Sequence, residues 1–251
     1  MKMTPERKST YIKQARIASG LNELDRENLN GIMRFACHSK GEIIFMPGDS
    51  ANDVFILHSG KIKLSRVDDD GRELTLATIT PGETFGEVDV LAEHPRDAIA
   101  EVVEDAVIGT ISKKGFECFL KKHPQCSLNL SRLIGARVIR AEQRIKSFVF
   151  LDAPERLATL LLDMGQAIEV QSFDGHGIKV SCTHQGLANM IGTTRETVSI
   201  VLGQLQKAAL IGTGNRFIRI LNWNGYSKNC WFIKLKIRRF NIIIAGDHVC
   251  V

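Results

Sequence analysis

In the stretch TTRETVSIVLGQL, residues 193–205, an arginine stands beside a glutamate at a helix start. Neighbouring residues diverge around a helix, so Arg195 and Glu196 cannot bridge along one helical face. Arg195 carries a planar fork of donors and Glu196 a pair of acceptor oxygens. Arginine can bond guanine O6 and N7 together, and glutamate can accept from cytosine N4, so the pair suits the edges of neighbouring base pairs. The competing reading is a capped surface helix with ordinary charges. The choice depends on the elements that hold the pair.

Those elements are legible around it. Thr183 can cap one helix and Thr194 a second, with a tight turn at Gly192 between them. Val198, Val201, Leu202 and Leu205 recur at i, i+3, i+4 and i+7 and bury one stripe of the second helix. Arg195, Glu196, Ser199, Ile200 and Gly203 then face outward. This is the pattern of a helix-turn-helix, whose second helix lays its first residues against base edges in the major groove. Upstream, FLDAPER offers Asp152 as an N-cap and Pro154 for a first turn, and Leu157, Leu160, Leu161 and Met164 form one apolar face. QSFDGHGIKV reads as a glycine-rich turn between short strands, and GTGNRFIRIL as a hairpin turning at Gly212–Gly214.

The preceding chain changes character twice. Residues 41–111 alternate β-branched residues with turn chemistry at Pro47–Gly48, Ser59–Gly60, Asp70–Gly71 and Pro81–Gly82, which suits an all-β roll or barrel. From 127 to 150 there is no proline, and Ile134, Val138, Ala141, Ile145 and Phe148 follow the spacing of a two-stranded coiled-coil seam. Such a stripe can pack on its own domain or on a second copy; its length and narrowness favour a homodimer.

Bulk properties narrow the remaining classes. The 251 residues carry a net charge of +5, but residues 226–251 alone hold +4, leaving +1 for the rest. Overall charge is therefore weak support for a nucleic-acid partner, and local groups must carry that reading. Six scattered cysteines without a CxxC pair fit reduced thiols. No apolar run approaches the roughly 20 residues of a membrane span, and the opening MKMTPERKST has no apolar core, so a cytoplasmic protein without a membrane partner is expected. Cys118, His123 and Cys126 follow no standard zinc spacing, and His58, His94 and His123 have no haem-like spacing, so no metal ligand is assigned. There is no nucleophile–base constellation and no phosphate loop, and an enzyme is not expected.

The stretch HQGLANMIGTTRETVSIVLGQLQKAALI resembles the helix-turn-helix of the Crp/Fnr family of bacterial transcription regulators, in its cyclic-AMP-receptor-like branch. The order of parts is similar over residues 20–222. The resemblance implies an α+β chain: a jelly-roll β-roll of the cyclic-nucleotide-binding type with an N-terminal helix (1–118), a dimerisation helix (119–150) and a winged helix-turn-helix (151–225). The atypical tail 226–251 has no counterpart; an added strand pair, a membrane-touching segment and a frameshifted or artificial end all stay open. By position, Arg195 and Glu196 would read bases, with Ser199 and Ile200 on the same face, and Gln185 and Thr194 would hold phosphates. The implied partners are double-stranded DNA with near-palindromic TGTGA-like half-sites, a second copy of the chain, and RNA polymerase. Ile200 departs from the family, whose prototypes carry an arginine there; it offers an apolar surface to a thymine methyl.

The stretch FGEVDVLAEHPRDAIA resembles the family's cyclic-nucleotide cassette. Gly86 and Glu87 would lie at the ribose and Arg96 at the phosphate, with Asp97, Ala141 and Glu142 in the remaining effector positions. A carboxylate accepts from a hydroxyl and a guanidinium forks onto phosphate oxygens. The other reading is that Glu87 and Arg96 pin the loop by pairing with each other. Cyclic-AMP binders have serine or threonine at Asp97, threonine and serine at Ala141 and Glu142, and one more residue between the glutamate and the arginine. No cofactor is assigned with certainty; a small effector in the roll is expected, with cyclic AMP disfavoured, and its binding would shift a hinge near Phe150–Asp152. A ligand-independent regulator with a structural roll, or a cyclic-nucleotide-binding module for a partner enzyme, are the alternatives.

Overall fold

Two long antiparallel strands organise the first part of the chain. The computed structural model describes residues 12–169, 178–214 and 217–220. Residues 226–251, most of the glycine-rich turn before residue 178, and residues 215–216 lie outside that set. Strand β1 (Arg34–His38), β2 (Ile43–Phe45), β3 (Asp53–Val67), β4 (Glu73–Ile79), β5 (Thr84–Phe85) and β6 (Ile99–Ser112) form one six-stranded sheet. Its path runs β1-β6-β3-β4, with β2 added on β6 and β5 on β3. All pairings are antiparallel, as expected for strands linked by tight turns.

The expected turn at Ser59–Gly60 is instead a bulge inside β3. The register against β6 shifts between Leu57 and Lys61, and Gly60 has φ +85°. A Cβ at Gly60 would collide with the Asp105 carbonyl oxygen and lie 2.7 Å from Ala106 Cα. Only glycine passes this close to the neighbouring backbone, and the extra residue changes which face of the strand looks inward. Val54 and Ile56 accordingly pack with Phe116, Phe119 and Leu130, whereas Leu57 and Ile62 pack with Phe45, Phe85 and Ile108.

Helices close one side of the sheet. Helix α1 (Glu23–Ile32) is capped by Asn22 and buries Leu29, and the short α2 (Glu87–Leu91) buries Glu87 and Val90. Helix α3 (Lys113–Lys122) is capped by Ser112 and presents Phe116 and Phe119 to the core. The long α4 (Pro124–Phe150) starts after His123. The expected boundary at 118/119 therefore falls inside α3.

The described residues divide into two units between Ala141 and Glu142, so the last turns of α4 belong to the second. That unit contains α5 (Ala153–Glu169), β7 (Ile178–Ser181), α6 (His184–Ile191), α7 (Arg195–Lys207), β8 (Ile211–Gly214) and β9 (Phe217–Ile220). Asp152 caps α5 reciprocally with Glu155, each carboxylate accepting from the other's backbone N–H at 2.8 and 3.3 Å. Strands β7, β9 and β8 form the wing in that order. Gly212–Gly214 are not its turn: they lie in β8, with Gly214 opposite Phe217. Leu157 and Leu161 of α5, Leu187 and Ile191 of α6, the α7 stripe and Ile218 and Ile220 of β9 share one core. Among the described residues, no helix is long and apolar enough to cross a membrane.

Candidate nucleic-acid interface and effector site

The α6–α7 pair is fixed at its ends before its surface is considered. Thr183 Oγ1 accepts from the Gly186 N–H at 3.0 Å, and Thr194 Oγ1 accepts from the Thr197 N–H at 3.2 Å. Gly192 ends α6 with φ +62°, and the Thr193 N–H then donates to the Ala188 carbonyl at 3.1 Å. Both ends satisfy helix groups that would otherwise lack partners. Val198, Val201, Leu202 and Leu205 are buried as the spacing requires. Arg195, Glu196, Ser199 and Ile200 are exposed.

The polar residues around this face differ in how free they are. Gln185 is exposed, and its amide donates to the buried Asn189 Oδ1 at 2.7 Å. Thr194 Oγ1 is shared with the Thr197 hydroxyl at 3.1 Å. Ser199 Oγ donates back to the Arg195 carbonyl at 2.9 Å, while His184 Nδ1 lies 2.8 Å away. A hydroxyl has one proton to give, so His184 Nδ1 donates in this arrangement. His184 escaped the sequence reading because the histidine and Ser199 lie 15 residues apart on different helices.

Two arginines secure the other end of α6. Arg144, in the last turns of α4, donates to the Met190 carbonyl at 2.6 Å. Arg156, on α5, donates to the carbonyls of Ile191 at 3.1 Å and Leu151 at 2.9 Å, and lies 5.4 Å from the Phe148 ring centroid. Cations at a helix C-terminus meet carbonyls left without helical partners and the negative end of the dipole. Residues 144–156 are thereby bound into the DNA-reading unit.

In the first unit one cassette residue, Glu87, meets α4. Gly86 precedes α2 with φ +72°, and a Cβ there would lie 2.7 Å from Arg96 Nη1 and 3.1 Å from Phe55. Glu87 is 1% exposed, and Arg137 of α4 donates to its Oε1 and to the Thr84 carbonyl. Burial raises the Glu87 carboxyl pKa above its ordinary value, and the Arg137 charge works against that. Glu87 Oε2 and Thr84 Oγ1 are buried and make no hydrogen bond among the described residues.

Arg96 is 3% exposed and faces inward. It donates to the Gly86 carbonyl at 2.6 Å and to the Asp53 carbonyl, stands 3.4 Å from Asp89, and lies 4.4 Å over the Phe45 ring. Glu87 and Arg96 therefore do not pair with each other. Asp97 pairs with Arg66 on β3, at the surface, and not with Arg96. Ala141 and Glu142 are exposed on α4, and the α4 residue that meets Glu87 is Arg137. Arg137 stands 50 residues from Glu87, so neither local spacing nor periodicity singles it out.

A family model for the cyclic nucleotide-binding domain matches residues 37–123, and one for the Crp-like helix-turn-helix domain matches residues 155–225. The global nitrogen regulator of Synechocystis sp. is 31% identical over 185 residues, which cover 73% of this chain and 82% of that protein. The chain belongs to the Crp/Fnr family. The cyclic AMP receptor protein of Thermus thermophilus is 32% identical over 177 residues, 70% of this chain and 79% of that one. The solved structure of a CooA mutant from Carboxydothermus hydrogenoformans matches with TM-score 0.67 and 28% identity, over 77% of this chain and 85% of that one. The c-di-GMP responsive regulator CLP of Xanthomonas campestris shares the fold, at TM-score 0.74 and 22% identity, over 80% of this chain and all of that one. This Crp/Fnr chain is a transcription regulator with an effector-binding domain and a DNA-binding helix-turn-helix; its relatives are regulators, not enzymes.

The Glu87–Arg137 pair can be tested by stability. Removing one partner of a buried ion pair costs about 3–5 kcal/mol because a charge is left uncompensated. Arg137→Ala should lower the unfolding free energy by that order in denaturant titration. Adding Glu87→Gln should recover part of the loss, since a neutral amide needs no counter-charge. Equal stability of Arg137→Ala and the unmodified protein would show that the pair does not form.

Proposed function

We propose that two copies of this chain bind a near-palindromic DNA site, with their recognition helices about one helical turn apart in successive major grooves. The reading rests above all on the exposed Arg195–Glu196 pair at the start of a helix whose opposite stripe is buried. Arg195 contacts a guanine and Glu196 a cytosine on the partner strand, while Gln185 and Thr194 lie beside the phosphates. The second copy is supported by α4, where Val138, Ala141, Ile145 and Phe148 are exposed in the single chain; Ile134 is half-buried against the roll's core. The regulator acts on RNA polymerase in the cytoplasm.

Effector binding in the roll reorients the recognition helices. We put the pivot near Ala141–Glu142 rather than at Phe150–Asp152, because Arg144 and Arg156 tie residues 144–156 to α6. The open acceptor at Glu87 Oε2 and the Thr84 hydroxyl suit a small effector carrying hydroxyl donors. Arg96, whose fork is occupied by two carbonyls, suits a phosphate poorly. The same occupancy favours a second reading, in which the roll is structural and DNA is bound without ligand. DNA association by protein stripped of small molecules separates the two.

Arg195→Ala should weaken specific binding by roughly 1–3 kcal/mol per half-site, chiefly at one G·C pair. An equal loss on all sequences would make Arg195 a phosphate contact. Ile145→Glu should place like carboxylates against each other across the seam and split the dimer in sedimentation; an intact dimer would move the interface elsewhere. Isothermal titration should show no cyclic AMP binding at micromolar concentrations. Arg96 keeps its fork on the Gly86 and Asp53 carbonyls, and a cyclic phosphate would have to displace those bonds to be held. Micromolar binding with tighter DNA association would restore cyclic AMP as the effector.

A further inference from the structure

We infer that Ile200 reads the C5-methyl group of a pyrimidine, thymine in unmodified DNA, at a fixed position of each half-site. The inference rests on DNA reading by α7, and it names the group that one side chain recognises.

The outward residues of the first turns of α7 form two rows along the helix, the second running on to the half-buried Gly203. One row is Arg195 and Ser199, four residues apart; the other is Glu196, Ile200 and Gly203, at i, i+4 and i+7. In the first row the Ser199 hydroxyl is committed, donating to the Arg195 carbonyl and facing His184 Nδ1. It has no free proton for a base. In the second row Ile200 is 51% exposed, although the core stripe of Val198, Val201, Leu202 and Leu205 is complete without it. One turn on, Gly203 has nothing within 4 Å of where a Cβ would stand. The helix therefore presents a carboxylate, then a branched apolar side chain, then bare backbone, and can approach a neighbour closely beyond Ile200.

An isoleucine offers no hydrogen bond to a base edge. Thymine alone of the four bases puts a methyl on the floor of the major groove; cytosine has only a C5–H at that place, and the remaining positions are donors or acceptors. A polar edge opposite Ile200 would lose its water without gaining a partner, which makes the contact selective as well as attractive. The β-branched side chain is stiff about χ1, so little side-chain freedom is lost on contact. The same methyl occurs on 5-methylcytosine, and the test separates the two sources.

The experiment uses the full-length protein and the duplex most enriched from a random pool. Each thymine is replaced in turn by deoxyuridine, which removes the methyl and leaves the pairing unchanged. One position in each half-site should then bind about fourfold more weakly, the factor expected for losing the burial of one methyl-sized group. Ile200→Ala should be insensitive to that replacement while keeping its thermal midpoint, since the side chain lies outside the core. Placing 5-methylcytosine·G at the same position should bind more tightly than cytosine·G by about the same factor. Deoxyuridine without effect anywhere would overturn the inference, as would an effect that persists in Ile200→Ala. If no duplex is enriched at all, base reading by α7 itself fails, which is a different outcome from specific binding that ignores the methyl.

Discussion

A carboxylate shut inside a protein demands a counter-charge, and Glu87 obtains its own from Arg137. That requirement adds a charged tie to the apolar packing that joins the sheet, α2 and α4. Gly86 lets the backbone turn in a conformation that leaves room for Arg96, α2 then points Glu87 inward, and α4 delivers a guanidinium to it. The same guanidinium holds the Thr84 carbonyl at the end of β5. Sheet, short helix and long helix of the first unit are thereby joined at one buried charge pair. On the proposed reading, an effector that engages the open oxygen of Glu87 would alter the charge balance at Arg137 on α4, the helix proposed to pair two copies.

The second unit is held by a different device. Its recognition helix is anchored by an apolar stripe and by hydroxyl caps, and α6 is held at its far end by Arg144 and Arg156. These contacts hold α7 against the core of its unit and leave Arg195, Glu196, Ser199 and Ile200 exposed. A fixed face can discriminate between base edges by misfit, because an unmatched donor or acceptor cannot find another partner by moving. The two arginines also carry the end of α4 with the DNA-reading unit, so the division between units falls inside a continuous helix.

Much of this was legible in the sequence, for reasons that are local. Thr183, Gly192, Thr194 and Asp152 act within a few residues of themselves, and the α7 stripe declares itself by period. Strand turns were less secure. Ser59–Gly60 has turn composition, yet a glycine at positive φ serves a bulge equally well, and only the neighbouring Asp105 backbone distinguishes them. Gly212–Gly214 deceived in the same way, since glycine permits a turn without requiring one. The cassette was recognisable by resemblance, but its internal pairing was not. Arg96 turning to carbonyls, Asp97 turning to Arg66, and Arg137 and His184 entering the site all depend on contacts between residues far apart in sequence.

The claim that this regulator reads DNA as a symmetric pair of α7 helices is tested most directly by selecting duplexes from a random pool with the purified full-length protein. Two inverted half-sites should emerge, their centres about one helical turn, or 10 base pairs, apart, each with a G·C pair for Arg195. A single unrepeated motif, or half-sites in direct orientation, would contradict recognition by a two-fold dimer.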